Sequence, residues 1–481
     1  MITLSISIIV LVVGYWIYGK IIERVFDIKP ERATPAHTKA DGVDFVKLPA
    51  WKIFLIQFLN IAGLGPIFGA VAGALWGPVA FLWIVLGSLF AGGVHDYFSG
   101  MMSIRHGGES ISEVSGFYLG NWIRQFMRGF TVILMIMVGA VFLIGPAKIL
   151  AGMTDGLGLG AWVAIILVYY ILSTILPIDK VIGRFYPVFG FALLFMAFGL
   201  LIAMFTQNLP VPELTFSSFS NLHYRSESFP VFPMLFVTIA CGAISGFHST
   251  QSPIMARCMG NERQGRGIFY GAMITEGVVA LIWAAISMSF FGGVRELNVE
   301  MLGNGDNAAL VVNEISNGAL GTIGGFLAIL GVVAAPITSG DTSFRSARII
   351  IADFMKSNQK SVRNRLLISI PLFAVGYLLT LVNFGVIWRY FAWTNQTLAT
   401  VVLWTVTVYL IKNAKFYWIA LIPAVFMTAV VVSYILLAPE GFSFPVNISI
   451  FIGVGVALIL GVLVTVWPAR AAWVADPPMV K

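Results

Sequence analysis

The sequence predicts an all-α membrane protein of thirteen transmembrane helices: two inverted sets of five, with one helix before them and two after. Three observations support this prediction. The 481-residue chain is 58% hydrophobic and only 11% charged, with a mean hydropathy of +0.91, whereas soluble domains carry about 25% charged residues. The basic residues concentrate in alternate loops between apolar segments, and two of those segments are interrupted near their centres. A composition this apolar indicates a protein whose solvent is the lipid bilayer.

Runs of about 17–25 apolar residues are long enough to cross a bilayer. The chain contains thirteen such runs, near 2–19, 53–76, 79–104, 129–150, 160–177, 186–206, 232–257, 267–291, 322–350, 366–382, 387–411, 416–437 and 449–467. The first run could be a cleaved signal peptide, but no basic segment precedes it, Lys20 and Arg24 follow it, and no Ala-x-Ala cleavage site is evident. We therefore expect it to be retained as the first transmembrane helix.

The distribution of lysine and arginine predicts the orientation in the membrane. With the N-terminus outside, the segments predicted to be cytoplasmic are 20–52, 105–128, 178–185, 257–266, 345–365, 412–415 and the C-terminal tail. They hold 25 of the 29 basic residues, and only Lys148, Arg225, Arg295 and Arg389 fall on the other side. An early miscount of spans would destroy this bias. We therefore expect a multi-pass protein of the cytoplasmic (inner) membrane of a prokaryote, with the N-terminus outside and the C-terminus inside.

Two spans carry residues that interrupt a helix. The second contains Gly63, Gly65 and Pro66 near its centre, and the seventh contains the stretch 241–253, which ends in Ser252-Pro253. Glycine loosens a helix and proline removes a backbone donor, so both spans should break. We expect the seventh to restart at Ser252-Pro253, with the hydroxyl as cap and proline at the first helical position.

The two broken spans lie five spans apart and run in opposite directions, as expected for the inverted repeats of secondary transporters. Kinks that serve only helix packing are the alternative. The predicted organisation is 1–52, an N-terminal helix and cytoplasmic loop; 53–206, the first five-helix repeat; 207–231, an extracytoplasmic loop; 232–411, the second five-helix repeat; and 412–481, two C-terminal helices and a tail.

Broken helices create sites for ions and small anions at the bilayer midplane. The N-termini of the second half-helices favour a carboxylate, and unwound carbonyls suit a cation. A zwitterion would also fit. The predicted substrate contacts are Gly63, Gly65, Ser245, Gly246, His248, Ser249, Asn395 and Gln396. For His248, the alternative is a packing residue beside the substrate.

Ionisable side chains inside spans are candidates for coupling to an ion. The predicted coupling residues are His95, Asp96, Glu276, Asp341, Thr342 and Ser343. His95 and Asp96 are adjacent in the third span and face about 100° apart, so they need not act together. The structural alternatives are a packed, hydrogen-bonded acid for Glu276 and an ion pair with Arg345, one turn later, for Asp341.

Hydroxyl groups in the ninth span offer hard-oxygen ligands for Na⁺. Thr338, Thr342 and Ser343 are the candidates, although membrane Ser and Thr usually bond back to their own helix. The sequence gives no reason to expect a cofactor, and neither cysteine has metal-site spacing. It also contains no basic, aromatic-interleaved patch for nucleic acid and no plausible nucleophile–base constellation for an enzyme. The expected partners are a small-molecule substrate, a coupling ion (H⁺ or Na⁺) and the lipid bilayer.

Five stretches resemble one family of carriers. They are Thr34-Pro35-Ala36 with Asp41-Gly42-Val43-Asp44; Ile61-Ala62-Gly63-Leu64-Gly65-Pro66 with Leu89-Phe90-Ala91-Gly92-Gly93-Val94-His95-Asp96-Tyr97; Ile239-Ala240-Cys241-Gly242-Ala243-Ile244-Ser245-Gly246-Phe247-His248 with Asn261-Glu262 and Tyr270-Gly271-Ala272-Met273; Asp341 with Arg345, Ala347 and Arg348; and Asn395-Gln396 before Leu398-Ala399. On these residues the chain resembles the carbon starvation protein A (CstA) family of the amino acid/polyamine/organocation superfamily, which has the LeuT-like fold.

The resemblance implies a cytoplasmic-membrane carrier for a small nutrient during carbon starvation. Pyruvate uptake with protons is implied for some members of the family and peptide uptake for others. The chain is shorter than the family's long pyruvate carriers. It has His95 before Asp96, where the resemblance implies a Gln-Asp pair in those carriers. We expect ion-coupled, proton-driven import of a small carboxylate such as pyruvate. The alternatives are a peptide or amino-acid carrier coupled to sodium, and a nutrient receptor or sensor on the same fold.

Overall fold

The computed structural model describes residues 1–42, 44–154, 156–176, 178–359, 361–382 and 384–466. Val43 of the first family stretch and the predicted tail from residue 467 onward lie outside these ranges. Every regular element in the described ranges is helical, without a β-strand. This confirms the predicted all-α class, and it follows from the bilayer's requirement that each span satisfy its own backbone hydrogen bonds.

Except for the longer segments 27–49 and 207–245, the main helices follow one another with short connections. They are α1 (Ile2–Phe26), α2 (Ala50–Ile61), α3 (Gly65–Trp76), α4 (Val79–Arg105), α5 (Ile111–Leu119), α6 (Asn121–Met153), α7 (Leu159–Ile175), α8 (Ile178–Thr206), α9 (Gly246–Ala256), α10 (Glu262–Phe290), α11 (Val294–Gly303), α12 (Ala308–Ala328), α13 (Ala335–Met355), α14 (Val362–Leu379), α15 (Phe384–Lys412), α16 (Trp418–Leu437) and α17 (Val446–Val466).

Nine helices in the described ranges are long and apolar enough to cross a membrane, and the bent pair α2 and α3 makes a tenth. The other three predicted spans correspond to the shorter apolar helix α7, to the broken segment that ends in α9, and to the helical stretch containing α13. The number thirteen therefore stays a prediction, as do the boundaries of the two repeats.

The helices that carry the broken segments form the centre of the bundle. Helix α9 packs against α4, α2 and α15, while α13 lies along α6 and also contacts α2. Helices α1 and α17 are at the periphery, where only about a fifth of the residues in the most apolar stretch of each helix are buried. Their outer faces present leucine, isoleucine and valine, which is the composition of a surface that contacts lipid.

Contacts at the two ends of the bundle agree with the predicted alternation of loops. At one end, the backbone N–H groups of Ile2 and Thr3 donate to Glu213 at 2.8 and 2.7 Å. At the other, Arg105 lies 3.2 Å from Glu262, and the backbone N–H of Lys29 donates to the same carboxylate at 2.7 Å. The N-terminus thus shares a side with the loop 207–231, and three basic segments meet at the opposite end.

The second span breaks where its glycines predict. Helix α2 ends at Ile61, α3 begins at Gly65, and their axes differ by 52°. A Cβ atom on Gly65 would lie 2.3 Å from both Cβ and Sγ of Cys241. Glycine is therefore required at this position because the two broken spans cross in direct contact here.

The seventh span also breaks, but the predicted restart at Ser252-Pro253 is wrong. The second half-helix, α9, begins at Gly246, and Pro253 lies inside it. Ser252 Oγ donates to the carbonyl of His248 at 3.0 Å, as a hydroxyl within a helix does. The helix starts earlier because Asn395 Oδ1 accepts the N–H of Phe247 at 2.7 Å. A side chain from another helix thus supplies the cap that Ser252 was expected to provide.

Candidate functional site

Four ionisable side chains, each in contact with the next, form a cluster at the centre of the bundle. Nδ1 of His95 lies 2.7 Å from one oxygen of Asp96, and Nδ1 of His248 lies 2.9 Å from the other. Nε2 of His248 then lies 3.5 Å from Glu276. All four side chains have no exposed surface. The side chains of His95 and Asp96 thus turn towards each other despite their angular separation of about 100° on α4, and a joint role for them stays a prediction.

The cluster joins three segments around the break of the seventh span. His95 and Asp96 come from α4, His248 from α9 and Glu276 from α10. Within the described part of the chain, the ion-pair partners of Asp96 and Glu276 are histidines rather than lysine or arginine. Neither Glu276 oxygen, nor Nε2 of His95 or of His248, has a hydrogen-bond partner among the described residues. The cluster therefore retains proton-accepting atoms inside the protein.

Asn395 organises the break beside this cluster. Its Nδ2 donates to Ser245 Oγ at 2.9 Å, and its Oδ1 accepts from Ser245 Oγ at 3.1 Å and from the N–H of Phe247 at 2.7 Å. A Cβ on Gly246 would lie 2.3 Å from the carbonyl oxygen of Asn395. These contacts hold the start of α9 against α15.

The remaining predicted substrate residues lie near the breaks but make different contacts. The side-chain amide of Gln396 contacts the segment before the break: its Nε2 donates to the carbonyl of Phe236 at 3.3 Å. Ser249 Oγ donates to the carbonyl of Gly246 at 2.7 Å within α9. Ser249 therefore lies in the first turn of α9, which begins at Gly246. A Cβ on Gly63 would lie 2.9 Å from the ring of Phe142 and 3.3 Å from Ser339 Oγ.

Asp341 lies in a separate polar group between α13 and α7. Ser173 Oγ donates to Asp341 at 2.6 Å, and Arg345 Nη2 donates to the Ser173 carbonyl at 3.0 Å. Ser173 therefore links the acid to the arginine. The ion pair and the coupling role predicted for Asp341 both stay predictions.

The candidate sodium ligands donate hydrogen bonds to carbonyls of their own helix, α13. Thr338 Oγ1 donates to Ala335 at 2.6 Å, and Thr342 and Ser343 donate to Ser339 at 3.0 and 2.7 Å. Hydrogen bonding of these hydroxyls to their own helix is the expected alternative to ion binding. The sodium site stays a prediction.

Two buried polar residues near the site were missed by sequence reasoning. Asn60, in the last turn of α2, has no exposed surface, and neither side-chain atom has a hydrogen-bond partner among the described residues. It could have been identified as a polar residue at membrane depth. Cys241 lies beside His248 and Glu276, with their ligand atoms within 4.8 Å of one another. Sequence spacing gives no signal of that proximity.

A cavity of about 140 Å³ lies between the two broken spans and the loop 207–231. Phe68 and Thr238 line it from the broken spans, and Arg225 and Arg389 line it from elsewhere. Arg389 lies 3.2 Å from Glu440, and Arg225 lies 3.1 Å from Asp306. The remaining lining residues are Ala72, Leu75, Trp76, His223, Tyr224, Phe229, Met234, Val237, Met301, Asp306, Ala308, Trp388, Ala392 and Tyr434. We call this cavity the vestibule. It is lined mainly by aromatic and aliphatic side chains and contains two arginines, each ion-paired with a carboxylate.

His223 is the titratable histidine of this vestibule. Burial, followed by the positive charge of Arg225, lowers the pKa of its imidazole to about 4. Its Nδ1 accepts the backbone N–H of Arg225 at 3.0 Å, and its ring centroid lies 4.4 Å from that of Trp76. The neutral ring is therefore part of the vestibule wall.

Comparison with known proteins identifies related chains. The family described as carbon starvation protein CstA matches residues 1–159, 155–317 and 292–434. An uncharacterized membrane protein of Haemophilus influenzae is 44% identical over 336 residues, covering 60% of this chain and 91% of its own. The peptide transporter CstA of Bacillus subtilis is 25% identical and 82% of each chain is covered. The pyruvate/proton symporter BtsT of Escherichia coli is 27% identical, with 57% of this chain and 47% of the symporter covered.

A solved structure supports the fold. The substrate-bound, outward-open state of a Na⁺-coupled sialic acid symporter matches with a TM-score of 0.51 at 14% identity, covering 95% of this chain and 97% of that one. At this identity the match bears on the fold alone. It agrees with the LeuT-like architecture expected from the two broken spans.

Proposed function

The chain belongs to the carbon starvation protein CstA family, and on that basis we propose that it is a proton-coupled secondary transporter importing a small carboxylate, such as pyruvate, during carbon starvation. The main support for this proposal is the buried cluster of His95, Asp96, His248 and Glu276, in which each side chain contacts the next. The B. subtilis and E. coli relatives named as transporters agree with carrier function. We further propose that the protein lies in the inner membrane, with its N-terminus outside.

Charge balance in the buried cluster supports proton coupling. Two carboxyl groups lie in a region without exposed surface, and their ion-pair partners among the described residues are imidazoles. An ionised carboxylate buried without compensation is very costly. A proton on an imidazole or a carboxyl group removes that cost. Gain and loss of such a proton would change the stability of the contact between α4, α9 and α10, which is what coupling to a conformational change requires.

Two features, one at the breaks and one in the vestibule, support a carboxylate substrate. Helix α3 begins at Gly65 and α9 at Gly246, and a helix N-terminus attracts negative charge. The vestibule adds Arg225 and Arg389, whose guanidinium groups suit the planar geometry of a carboxylate. We propose that the anion enters through the vestibule and moves to the breaks, where Asn395 and His248 contact it. Alternating exposure of this midplane site would complete transport.

The direct test is uptake of labelled pyruvate into proteoliposomes containing the purified chain. An inward proton gradient should drive accumulation, and a protonophore should reduce uptake to the level of equilibration. Glu276→Gln should lose gradient-driven accumulation, while the exposed acid Glu227→Gln should behave as the native protein. Absence of uptake, with no competition by pyruvate in a binding assay, would refute the proposal and favour a receptor or sensor.

The peptide-transporter relative and the aromatic vestibule favour a peptide as the alternative substrate. Competition by di- and tripeptides against labelled pyruvate tests it: strong inhibition by peptides and weak inhibition by short monocarboxylates would favour the peptide. Replacement of sodium by choline at constant pH tests the coupling ion. Loss of uptake without sodium would transfer the coupling role to Thr338, Thr342 and Ser343.

A further inference from the structure

Cys241, His248 and Glu276 form a group whose chemistry extends beyond proton transfer. One ligand atom from each residue, the cysteine sulfur, a ring nitrogen and a carboxylate oxygen, lies within 4.8 Å of the other two. The three side chains are buried, with Cys241 2% exposed and the others fully enclosed. We propose that they bind a divalent transition-metal ion of the zinc type, with Asp96 orienting His248.

The ligand atoms are available for a metal ion. Both oxygens of Glu276 and Nε2 of His248 are buried without a hydrogen-bond partner among the described residues. Such groups are rare because each one left unsatisfied costs free energy. Cys241 Sγ is 3.4 Å from Ser245 Oγ, a weak sulfur contact that a metal–thiolate bond can replace. A cation among these atoms would satisfy all three side chains.

The orientation of His248 matches that of a metal ligand. A ligating histidine almost always donates its second ring N–H to a carboxylate, carbonyl or water, which fixes the ring and raises its basicity. Nδ1 of His248 lies 2.9 Å from Oδ2 of Asp96, leaving Nε2 facing Glu276 at 3.5 Å. Asp96 is itself held by His95 at 2.7 Å. The supporting hydrogen bonds of a carboxylate–histidine–metal arrangement are therefore already formed.

The ligand types determine the class of ion. Thiolate and imidazole ligands favour zinc and neighbouring transition metals, whereas Mg²⁺ and Ca²⁺ prefer oxygen ligands throughout. Ligand atoms around one tetrahedral Zn²⁺ are about 3.3–3.8 Å apart. Nε2 of His248 and the Glu276 carboxylate are already 3.5 Å apart, so the closure that remains, at most about 1.5 Å, is between Cys241 Sγ and the other two ligand atoms. Three protein ligands leave the fourth position for water or another small ligand.

Metal and proton would compete for the same atoms. A metal binds deprotonated cysteine and neutral histidine, so its affinity should rise with pH. If the proposed proton coupling holds, a bound ion would also block transport by occupying Glu276 and His248. This consequence rests on the proposed function, whereas metal binding itself can be measured without any transport assay.

The test is titration of the purified, metal-stripped full-length chain with Co²⁺, followed by absorption spectroscopy. A thiolate–cobalt charge-transfer band should appear at one ion per chain, disappear when Zn²⁺ is added, and strengthen as the pH is raised. Cys241→Ser should abolish the band. Cys258→Ser is the matched control, since Cys258 is equally buried but lies beside the Asp44 carbonyl, 3.9 Å away, and it should bind as the native chain does.

Asp96→Asn tests the role of orientation and should weaken Co²⁺ binding about 10- to 100-fold without removing the band. Melting curves and gel filtration establish that each variant is folded. Absence of the band in the native chain, or an equal band in Cys241→Ser, would overturn the metal site. In proteoliposomes, Zn²⁺ should inhibit pyruvate uptake by the native chain and by Cys258→Ser. If the band is present but the native chain does not transport pyruvate, the proposed function fails and the metal site stands.

Discussion

Nδ1 of His248 lies 2.9 Å from Oδ2 of Asp96, and this contact joins the second half of the seventh span to the third span. The two residues are 152 positions apart in the chain, and both are fully buried. Under the proposed function, a change in the protonation of this contact would change how firmly α9 packs against α4.

Asp96→Asn should separate transport from ion coupling. The amide cannot carry the negative charge, so gradient-driven uptake should fall at least about tenfold, equivalent to about 1.4 kcal/mol, the low end for a hydrogen bond to a charged group. Exchange of labelled for unlabelled substrate without a gradient should continue. Both are measured in proteoliposomes, with the exposed acid Glu227→Gln as control. Retention of gradient-driven accumulation by Asp96→Asn would exclude Asp96 from coupling.

Gly65→Ala should destabilise the crossing of the two broken spans. The added Cβ would lie 2.3 Å from the side chain of Cys241, and overpacking of this kind costs about 1–3 kcal/mol. The melting temperature and uptake should both fall, and Cys241→Gly in the same chain should restore part of each. Gly129→Ala is the control, because a Cβ there meets nothing within 4 Å. No recovery in the double variant would argue against direct contact at this crossing.

Asn395→Ala should loosen the start of α9. The buried N–H of Phe247 would lose its acceptor, which costs about 1–3 kcal/mol, and uptake should fall because the half-helix end is no longer held. Thermal melting and initial uptake rates measure the two effects. Asn317→Ala, exposed on α12, should change neither. An unchanged melting temperature for Asn395→Ala would mean that another group caps the helix.

His223→Gln should alter how stability depends on pH. The pKa of His223 in the fold is about 4, below its ordinary value of 6.5, so the fold favours the neutral ring. That preference contributes fully above pH 6.5 and is lost as the pH falls towards 4. The melting temperature of the native chain, relative to that of the variant, should therefore fall as the pH is lowered from 7 to 4. A difference that stays constant across this range would refute the assignment.

Arg389→Gln should weaken capture of an anionic substrate in the vestibule. The guanidinium lines the cavity and is 42% exposed beside Glu440, so its attraction is partly screened by water and salt. We expect the substrate concentration for half-maximal uptake to rise several-fold, and more at low ionic strength. Arg295→Gln is the control, since this arginine is also exposed but outside the described cavity lining. Equal effects of both substitutions would indicate a general surface potential.

In the seventh span, local sequence encodes the break, and a distant residue decides where the helix restarts. Glycine and serine residues predicted that it breaks, because the conformational preferences of these residues are local. They did not predict the restart at Gly246, because the cap comes from Asn395, 148 residues from the Phe247 N–H it accepts. The same limit applies to His95 and Asp96. Their angular separation on a helix is a backbone property, whereas their contact depends on side-chain rotation and on His248 approaching from another helix.

The sequence by itself determined the all-helical membrane class, the family, the two broken spans and most of the buried ionisable residues. Hydrophobic length, glycine and proline positions and motif residues are properties of short segments, and the bilayer leaves such segments few alternatives to a helix. Only the tertiary structure decided which polar groups meet: Asp96 between two histidines, Asn395 at the start of α9, and Cys241 beside Glu276. These contacts arise from the packing of segments far apart in the chain, and no local spacing encodes them.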